Sequence, residues 1–328
     1  MGVSAWAFFV GGLVLLVVGA ELVLRGASRL ALVLGLEPMV IGLTVVSVGT
    51  SMPELAVGIA ASWEGAGTLA VGNIAGTNLF NILFILGLSA WIKPLPLQAL
   101  SIRLDLPVMI AAAVAMFVMA LDGTLSRFEG CLMLLSSLVY TVVLLRMARR
   151  ERDPTPAETA EAAGAIAVVS RRARTLARLR DVAMLVVGFI VILVGADFLV
   201  QGAVAIARSL GVSDAIIGLT IVAIGTSAPE FATTLIATLR DQRDIAVGNL
   251  LGSSIFNILF ILGATCVVSP SGVTVDRAVL LIDIPLAVGV SVLCVPVFLS
   301  DRMVSRREGA FFVLGYLVYL FTLLVMRV

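Results

Sequence analysis

The chain carries the same segment twice. Residues 42–87 laid over 218–263, at a constant offset of 176 and without a gap, give 24 identities in 46 positions. About five would be expected by chance in so apolar a sequence. GLTVVSVGTSMPE, Gly42 to Glu54, answers GLTIVAIGTSAPE, Gly218 to Glu230. VGNIAGTNLFNILFILG, Val71 to Gly87, answers VGNLLGSSIFNILFILG, Val247 to Gly263. Upstream, Gly19-Ala20-Glu21 matches Gly195-Ala196-Asp197 and Gly26-Ala27 matches Gly202-Ala203 at that offset. Downstream, Asp105-x-Pro107 matches Asp283-x-Pro285 at an offset of 178.

The repeated material belongs in a bilayer. Of 328 residues 60% are apolar and 13% charged, with a mean hydropathy of +1.14, where a soluble domain carries about 25% charged residues. Ten apolar runs approach the roughly 20 residues that cross about 30 Å of hydrocarbon as helix: 5–24, 37–60, 69–91, 105–122, 128–146, 182–201, 213–237, 244–267, 278–299 and 309–326. Each copy then holds five. An odd number of crossings makes the second copy enter from the opposite side, so the expected fold is all-α and polytopic, ten transmembrane helices in two inverted-topology five-helix repeats. Residues 1–146 form the first repeat, 147–181 a cytoplasmic linker and 182–328 the second repeat.

Basic residues orient the chain. The connections after runs 1, 3, 5, 7 and 9 hold 18 of the 22 Lys and Arg, nine of them between Arg146 and Arg180. The positive-inside rule puts those connections in the cytoplasm of a cell (inner) membrane and both termini outside. The first run has no basic flank and contains Glu21, which reads as a permanent helix and not as a cleaved signal. The linker, about Arg149 to Arg180, contains Asp153-Pro-Thr-Pro156 and a basic segment Arg171 to Arg180, expected as a helix in solvent or at the lipid surface. Cys131, Cys266 and Cys294 lie in apolar runs without metal spacing and read as small buried residues. The absence of histidine removes imidazole metal sites and Ser-His triads.

An intramembrane glutamate is a functional hypothesis by default, because an ionised side chain at mid-bilayer costs at least about 2.5–3.5 kcal/mol. Glu54 and Glu230 occupy matching positions, and inversion would bring them face to face near the midplane. Pro53 and Pro229 cannot donate to the carbonyls of Gly49 and Gly225, so each helix should kink and free main-chain oxygens. Thr50 and Ser51 lie four and three residues before Glu54, on its helical face, as Thr226 and Ser227 do for Glu230; Ser47 sits a further turn away. On the partner helices Thr77 and Asn81, like Ser253 and Asn257, are four apart and share one stripe. Taken singly, the hydroxyls are explained by bonding to a carbonyl one turn back, and the glycines of the repeated GNxxG by close packing. Asn73 and Asn249 suit capping or interhelical bonding, Glu21 and Asp197 neutralisation by Arg25, Arg29 or Arg208, and Asp105 and Asp283 capping ahead of prolines.

Carboxylate, amide, hydroxyl and carbonyl oxygens suit hard cations such as Ca2+ and Na+, and two glutamates match the charge of one divalent ion. The same oxygens could surround monovalent ions or bind protons. If the empty, doubly charged site is too costly to reorient, the two access states interchange only when it is occupied, and exchange follows.

GTSMPE…GNIAGTNLFN and GTSAPE…GNLLGSSIFN resemble the two α-repeats of the calcium/cation antiporter superfamily, in particular its sodium/calcium exchanger branch in prokaryotic form, over nearly the whole chain. The resemblance implies overlapping Ca2+ and Na+ sites at the centre. Glu54 and Glu230 are then the shared carboxylates; Thr50, Ser51, Thr226, Ser227, Thr77 and Ser253 supply hydroxyl or carbonyl ligands; Asn81 and Asn257 supply amides; and the Ser47 and Ala223 carbonyls face flanking sodium sites. The first and sixth helices would slide against that core. Some family members carry Asp where Asn257 stands, which makes potassium co-transport less expected here and leaves Na+ and H+ both open as the driving ion.

The expected function is a secondary antiporter exchanging Ca2+ for Na+ by alternating access, with H+/Ca2+ exchange as the alternative. It is not an enzyme, uses no cofactor, and needs only membrane lipid and inorganic cations as partners, with neither nucleic acid nor an obligate protein. An intramembrane hydrolase is disfavoured because nothing pairs the glutamates with a nucleophile, and a passive channel because the repeat suits alternating access.

Overall fold

Backbone polar groups in lipid must be satisfied within the segment that carries them, which leaves helices as the means of crossing for a sequence with this pattern. The computed structural model describes residues 2–151, 171–210 and 223–327. Its helices in chain order are α1 (Gly2–Leu34), α2 (Pro38–Thr50), α3 (Met52–Trp63), α4 (Gly67–Ile92), α5 (Ser101–Asp122) and α6 (Arg127–Glu151). They continue with α7 (Arg171–Ser209), α8 (Ala223–Thr226), α9 (Ala228–Leu239), α10 (Arg243–Val268), α11 (Val279–Ser300) and α12 (Arg306–Arg327).

Among the described residues seven of these are long and apolar enough to span a membrane, and α2 with α3, bent by 42°, makes an eighth if the pair is one span. The expected run 213–237 begins outside the described residues, and its described part is the short pair α8 and α9. In α12 the first turn carries Arg306, Arg307 and Glu308.

Equivalent elements of the two copies recur. Helices α3 and α9 are each 12 residues long and start one residue before a proline. Four two-residue strands tie the copies together: β1 (Leu95–Pro96) pairs antiparallel with β4 (Met303–Val304), and β2 (Thr124–Leu125) with β3 (Val273–Thr274). Each pair joins a connection of one copy to a connection of the other.

Helices α1 and α7 pack along their length because glycine recurs every seven residues on both. A Cβ on Gly19 would come within 2.6 Å of Ile192, one on Gly26 within 2.8 Å of Leu185, and one on Gly195 within 2.8 Å of Leu16. Rising numbers on α1 meet falling numbers on α7, so the equivalent helices run antiparallel. Arg29 and Asp181, 3.4 Å apart, pin one end of the pair.

The core sits around α4 and α10, which are mostly buried, whereas α1, α6 and α7 present Val14, Val17, Leu135, Leu138, Val187 and other large apolar side chains outward. These two inner helices carry all five asparagines of the chain, side chains too polar for a lipid-facing surface, together with closely spaced Gly, Ser and Thr small enough for close approach.

Several local expectations are corrected. Helix α1 runs on to Leu34, and the basic segment from Arg171 continues directly into the membrane run as one 39-residue helix; residues 152–170 of the linker lie outside the described residues. Asp105 is no cap. It is buried within α5 with helical backbone angles, makes no capping bond, and accepts a 2.9 Å hydrogen bond from the Tyr140 hydroxyl. Asp283 likewise accepts from Tyr319 at 3.4 Å. Of the three free cysteines, Cys266 and Cys294 are buried but Cys131 is exposed, on the outer face of α6.

Candidate ion-binding site

Proline decides the local geometry. Pro53 and Pro229 sit in the first turns of α3 and α9, and the residues that close the preceding helices, Ser51 and Ser227, leave helical geometry at φ/ψ of −84°/12° and −89°/6°. The expected kink is therefore a break immediately before each P-E pair. Helices α4 and α10 contribute a second irregularity: a π-helical stretch covers Phe80–Leu86 in one and Asn257–Leu262 in the other. Asn81 and Asn257 lie in these widened turns, which rotate side chains away from the regular helical stripe.

The breaks cross the two copies over. Ser51 Oγ, which helical spacing assigns to Glu54, instead donates to Glu230 Oε1 at 2.8 Å, and Ser227 Oγ donates to Glu54 Oε1 at 3.4 Å. The same hydroxyls reach across to α10 and α4: Ser51 lies 3.3 Å from Ser253 Oγ, and Ser227 3.4 Å from Thr77 Oγ1. Thr50 stands beside Glu230 and Thr226 beside Glu54 in the same crossed sense. Glu54, Glu230, Ser51, Ser227, Asn81, Asn257 and Ser253 are fully buried and Thr77 nearly so.

At the centre, Glu54 Oε2, Glu230 Oε2, Asn257 Oδ1 and both amide atoms of Asn81 are buried without a hydrogen-bond partner among the described residues. Two carboxylate oxygens and two amide oxygens, from equivalent positions of the two copies, are thus left open among the described residues. Buried oxygens are ordinarily bonded. Four left open beside two like charges, which are close enough to repel each other, form a donor set that a hard cation satisfies. None of the ion pairs among the described residues involves Glu54 or Glu230.

Not every expected ligand stands open. Thr50 Oγ1 donates to the carbonyls of Val46 and Ser47 at 3.1 and 3.2 Å, and Ser47 Oγ to Leu43 at 2.6 Å, the back-bonding that hydroxyls one turn along a helix ordinarily make. The Ser47 carbonyl accepts from both Thr50 Oγ1 and the Ser51 amide. Ala223 begins α8, and its side chain lies outside what is described. Asn249 bridges helices, donating to Thr234 Oγ1 at 3.0 Å and accepting from Thr50 at 3.3 Å. Gly58 stands where Thr234 would recur, and Asn73 Nδ2, the equivalent of Asn249 Nδ2, is left without a partner among the described residues. Sequence reasoning missed Asn78, which bonds both Asn257 and the Ser254 carbonyl. The available signal was its place among the two hydroxyl or amide residues that follow each GNxxG.

The chain is similar to known proteins over nearly its whole length. The family model described as sodium/calcium exchanger protein matches residues 4–146 and 181–325. The inner membrane protein YrbG of Escherichia coli strain K12 is 37% identical over 274 residues, 81% of this chain and 80% of that protein. The sodium/calcium exchanger MaX1 of Methanosarcina acetivorans is 30% identical over 338 residues, 95% of this chain and 96% of its own. A solved structure of the sodium-calcium exchanger NCX_Mj, soaked with zero Na+ and Ca2+, superposes with a TM-score of 0.82 at 27% identity, covering 98% of this chain and all of that one.

Proposed function

This chain belongs to the sodium/calcium exchanger protein family, and on that premise we propose that it exchanges Ca2+ for Na+ across a cell membrane by alternating access. The observation that carries the reading is the crossed pair Ser51–Glu230 and Ser227–Glu54, with four buried carboxylate and amide oxygens of Glu54, Glu230, Asn81 and Asn257 left without partners among the described residues.

The mechanism follows from charge. Glu54 and Glu230 bind Ca2+ as substrate, with Asn81 and Asn257 completing an all-oxygen shell. Ser51 and Ser227 hold one oxygen of each carboxylate, so the other turns to the ion. Thr77, Ser253, Thr226 and the carbonyls of Thr50 and Ala223 serve flanking Na+; the Ser47 carbonyl, which already accepts two hydrogen bonds, joins them by releasing one. Empty, the site confines two negative charges in a poorly solvated interior, and sliding apolar helices over them so that water is shut out is opposed by their desolvation. Occupied by Ca2+ or by Na+, it is neutral enough to be covered. The protein therefore changes access only when loaded, which couples the two fluxes. The pair α1 and α7 is the moving element in this reading, and the core holding the glutamates is the fixed one.

The proposed topology is ten transmembrane helices in two inverted repeats, residues 1–146 and 182–328, joined by a cytoplasmic linker at 147–181 with both termini outside. The antiparallel course of α1 and α7 and the strand pairs between copies support it. The Arg-rich odd-numbered connections support the orientation, and the relative from E. coli supports an inner-membrane location.

Proteoliposomes holding the purified chain test the function, with gradients imposed one at a time. Ca2+ uptake driven by an outward Na+ gradient at clamped pH is expected. Uptake that follows only a pH gradient would replace Na+ by H+ as the driving ion, and uptake that needs no counter-ion and does not saturate would sink the antiport.

A further inference from the structure

The four open oxygens at the centre are not equally held. Asn257 donates from Nδ2 to Asn78 Oδ1 at 3.2 Å, and Asn78 donates from its own Nδ2 to the main-chain carbonyl of Ser254 at 3.1 Å. A carbonyl oxygen can only accept, so the nitrogen of Asn78 must face Ser254 and its oxygen must face Asn257. The nitrogen of Asn257 must in turn face Asn78. Its Oδ1 is thereby turned away, buried and without a partner among the described residues.

The other copy supplies the contrast. Position 254, equivalent to 78 at the offset of 176, is serine, and its Oγ is buried without a partner among the described residues. Asn81, equivalent to Asn257, has neither amide atom bonded among the described residues. One amide of the central pair is locked; the other is free to turn over.

We propose that Asn78 is a positioning residue which aims the Asn257 oxygen at the transported cation and selects an amide over a carboxylate at position 257, holding the site at two negative charges. The inference rests on reading Glu54, Glu230, Asn81 and Asn257 as ion ligands. A carboxylate at 257 would set an oxygen without a proton against Asn78 Oδ1. Turning Asn78 over to relieve this breaks its bond to Ser254 and opposes two acceptors there. An aspartate at 257 therefore requires a different residue at 78, and serine, which donates as well as accepts, is sufficient.

The test compares Ca2+ uptake by the full chain in proteoliposomes, under the gradient that drives wild-type uptake, for Asn78→Leu, Asn257→Asp and the double variant Asn78→Ser/Asn257→Asp. Losing the lock is expected to raise the Ca2+ KM in Asn78→Leu about tenfold while kcat changes less than about twofold. Asn257→Asp alone is expected to lower uptake at least about tenfold, and adding Asn78→Ser to recover at least about fivefold of that loss. If Asn78→Leu fails to fold, the comparison of single and double variants at 257 decides alone. A Ca2+ KM unmoved in a folded Asn78→Leu, or an Asn257→Asp variant indifferent to the change at 78, overturns the proposal. Glu54→Gln runs alongside. Uptake surviving there removes the ligand reading and this inference with it, whereas its loss beside an unaltered Asn78→Leu removes only the role of Asn78.

Discussion

Ser51 donates a 2.8 Å hydrogen bond to Glu230, a residue 179 positions away in the chain and in the opposite copy of the repeat. The bond exists because the helix breaks at Ser51, and it ties the two halves together at the position where their charges meet. Its counterpart from Ser227 to Glu54 is longer, 3.4 Å. The expected consequence is unequal: Ser51→Ala raises the Ca2+ KM about tenfold, the worth of one hydrogen bond to a charged group, and Ser227→Ala raises it less. Initial-rate uptake over a range of Ca2+ concentrations measures both.

Replacing Glu54 or Glu230 by Gln keeps the shape of the side chain and removes one of two repelling buried charges. Transport is expected to be lost while the melting temperature in detergent stays level or rises. A ligand that binds only the folded protein stabilises it in proportion to ln(1 + [L]/Kd), so added Ca2+ should raise the wild-type Tm and leave either variant unmoved. A Ca2+-induced shift of wild-type size in Glu54→Gln would contradict this.

The glycines between α1 and α7 are expected to be intolerant of a methyl group. At Gly19 a Cβ meets Ile192 side chain and backbone at 2.6 and 2.8 Å, whereas at Gly11 it meets nothing within 4 Å. Gly19→Ala should cost about 1–3 kcal/mol through overpacking, and Gly11→Ala nothing measurable. Thermal unfolding of the two variants side by side checks the difference.

Buried in α5 away from the central site, Asp105 keeps its hydrogen bond from Tyr140 at 2.9 Å, and its Oδ2 has no partner among the described residues. Tyr140→Phe strips the carboxyl of that donor and is expected to destabilise by about 1–3 kcal/mol. Asp105→Asn, which still accepts from the phenol, should unfold near the wild-type temperature. Both should retain Ca2+ uptake with an unaltered KM, since neither residue touches the glutamates.

The duplication made the essentials legible from residues alone. Glu54, Glu230, Asn81 and Asn257 stand out because a polar residue recurs in the same place within two apolar segments, and the prolines beside the glutamates announce the breaks. What spacing could not supply was which partner each side chain meets. The i, i+3 relation put Ser51 on the face of Glu54, and it holds only along an unbroken helix; one residue out of helical geometry sends the hydroxyl to the other copy. Asp105 read as a cap because Pro107 follows it as though in a first turn, yet Pro107 sits inside a helix that had already begun at Ser101 through a π-helical stretch. Asn78 was legible as polar but not as a lock, since its partners come from α10 and one of them is a main-chain carbonyl that any residue would provide.

Exchange by this mechanism requires Glu54 and Glu230 to share one cation. Equilibrium binding of radioactive Ca2+ to the purified protein, with and without excess Na+, tests it most directly when the wild type is set against Glu54→Gln/Glu230→Gln. Saturable binding to the wild type, displaced by Na+, is expected, and none to the double variant with the fold retained. Saturable, Na+-sensitive binding that persists in the double variant would contradict it.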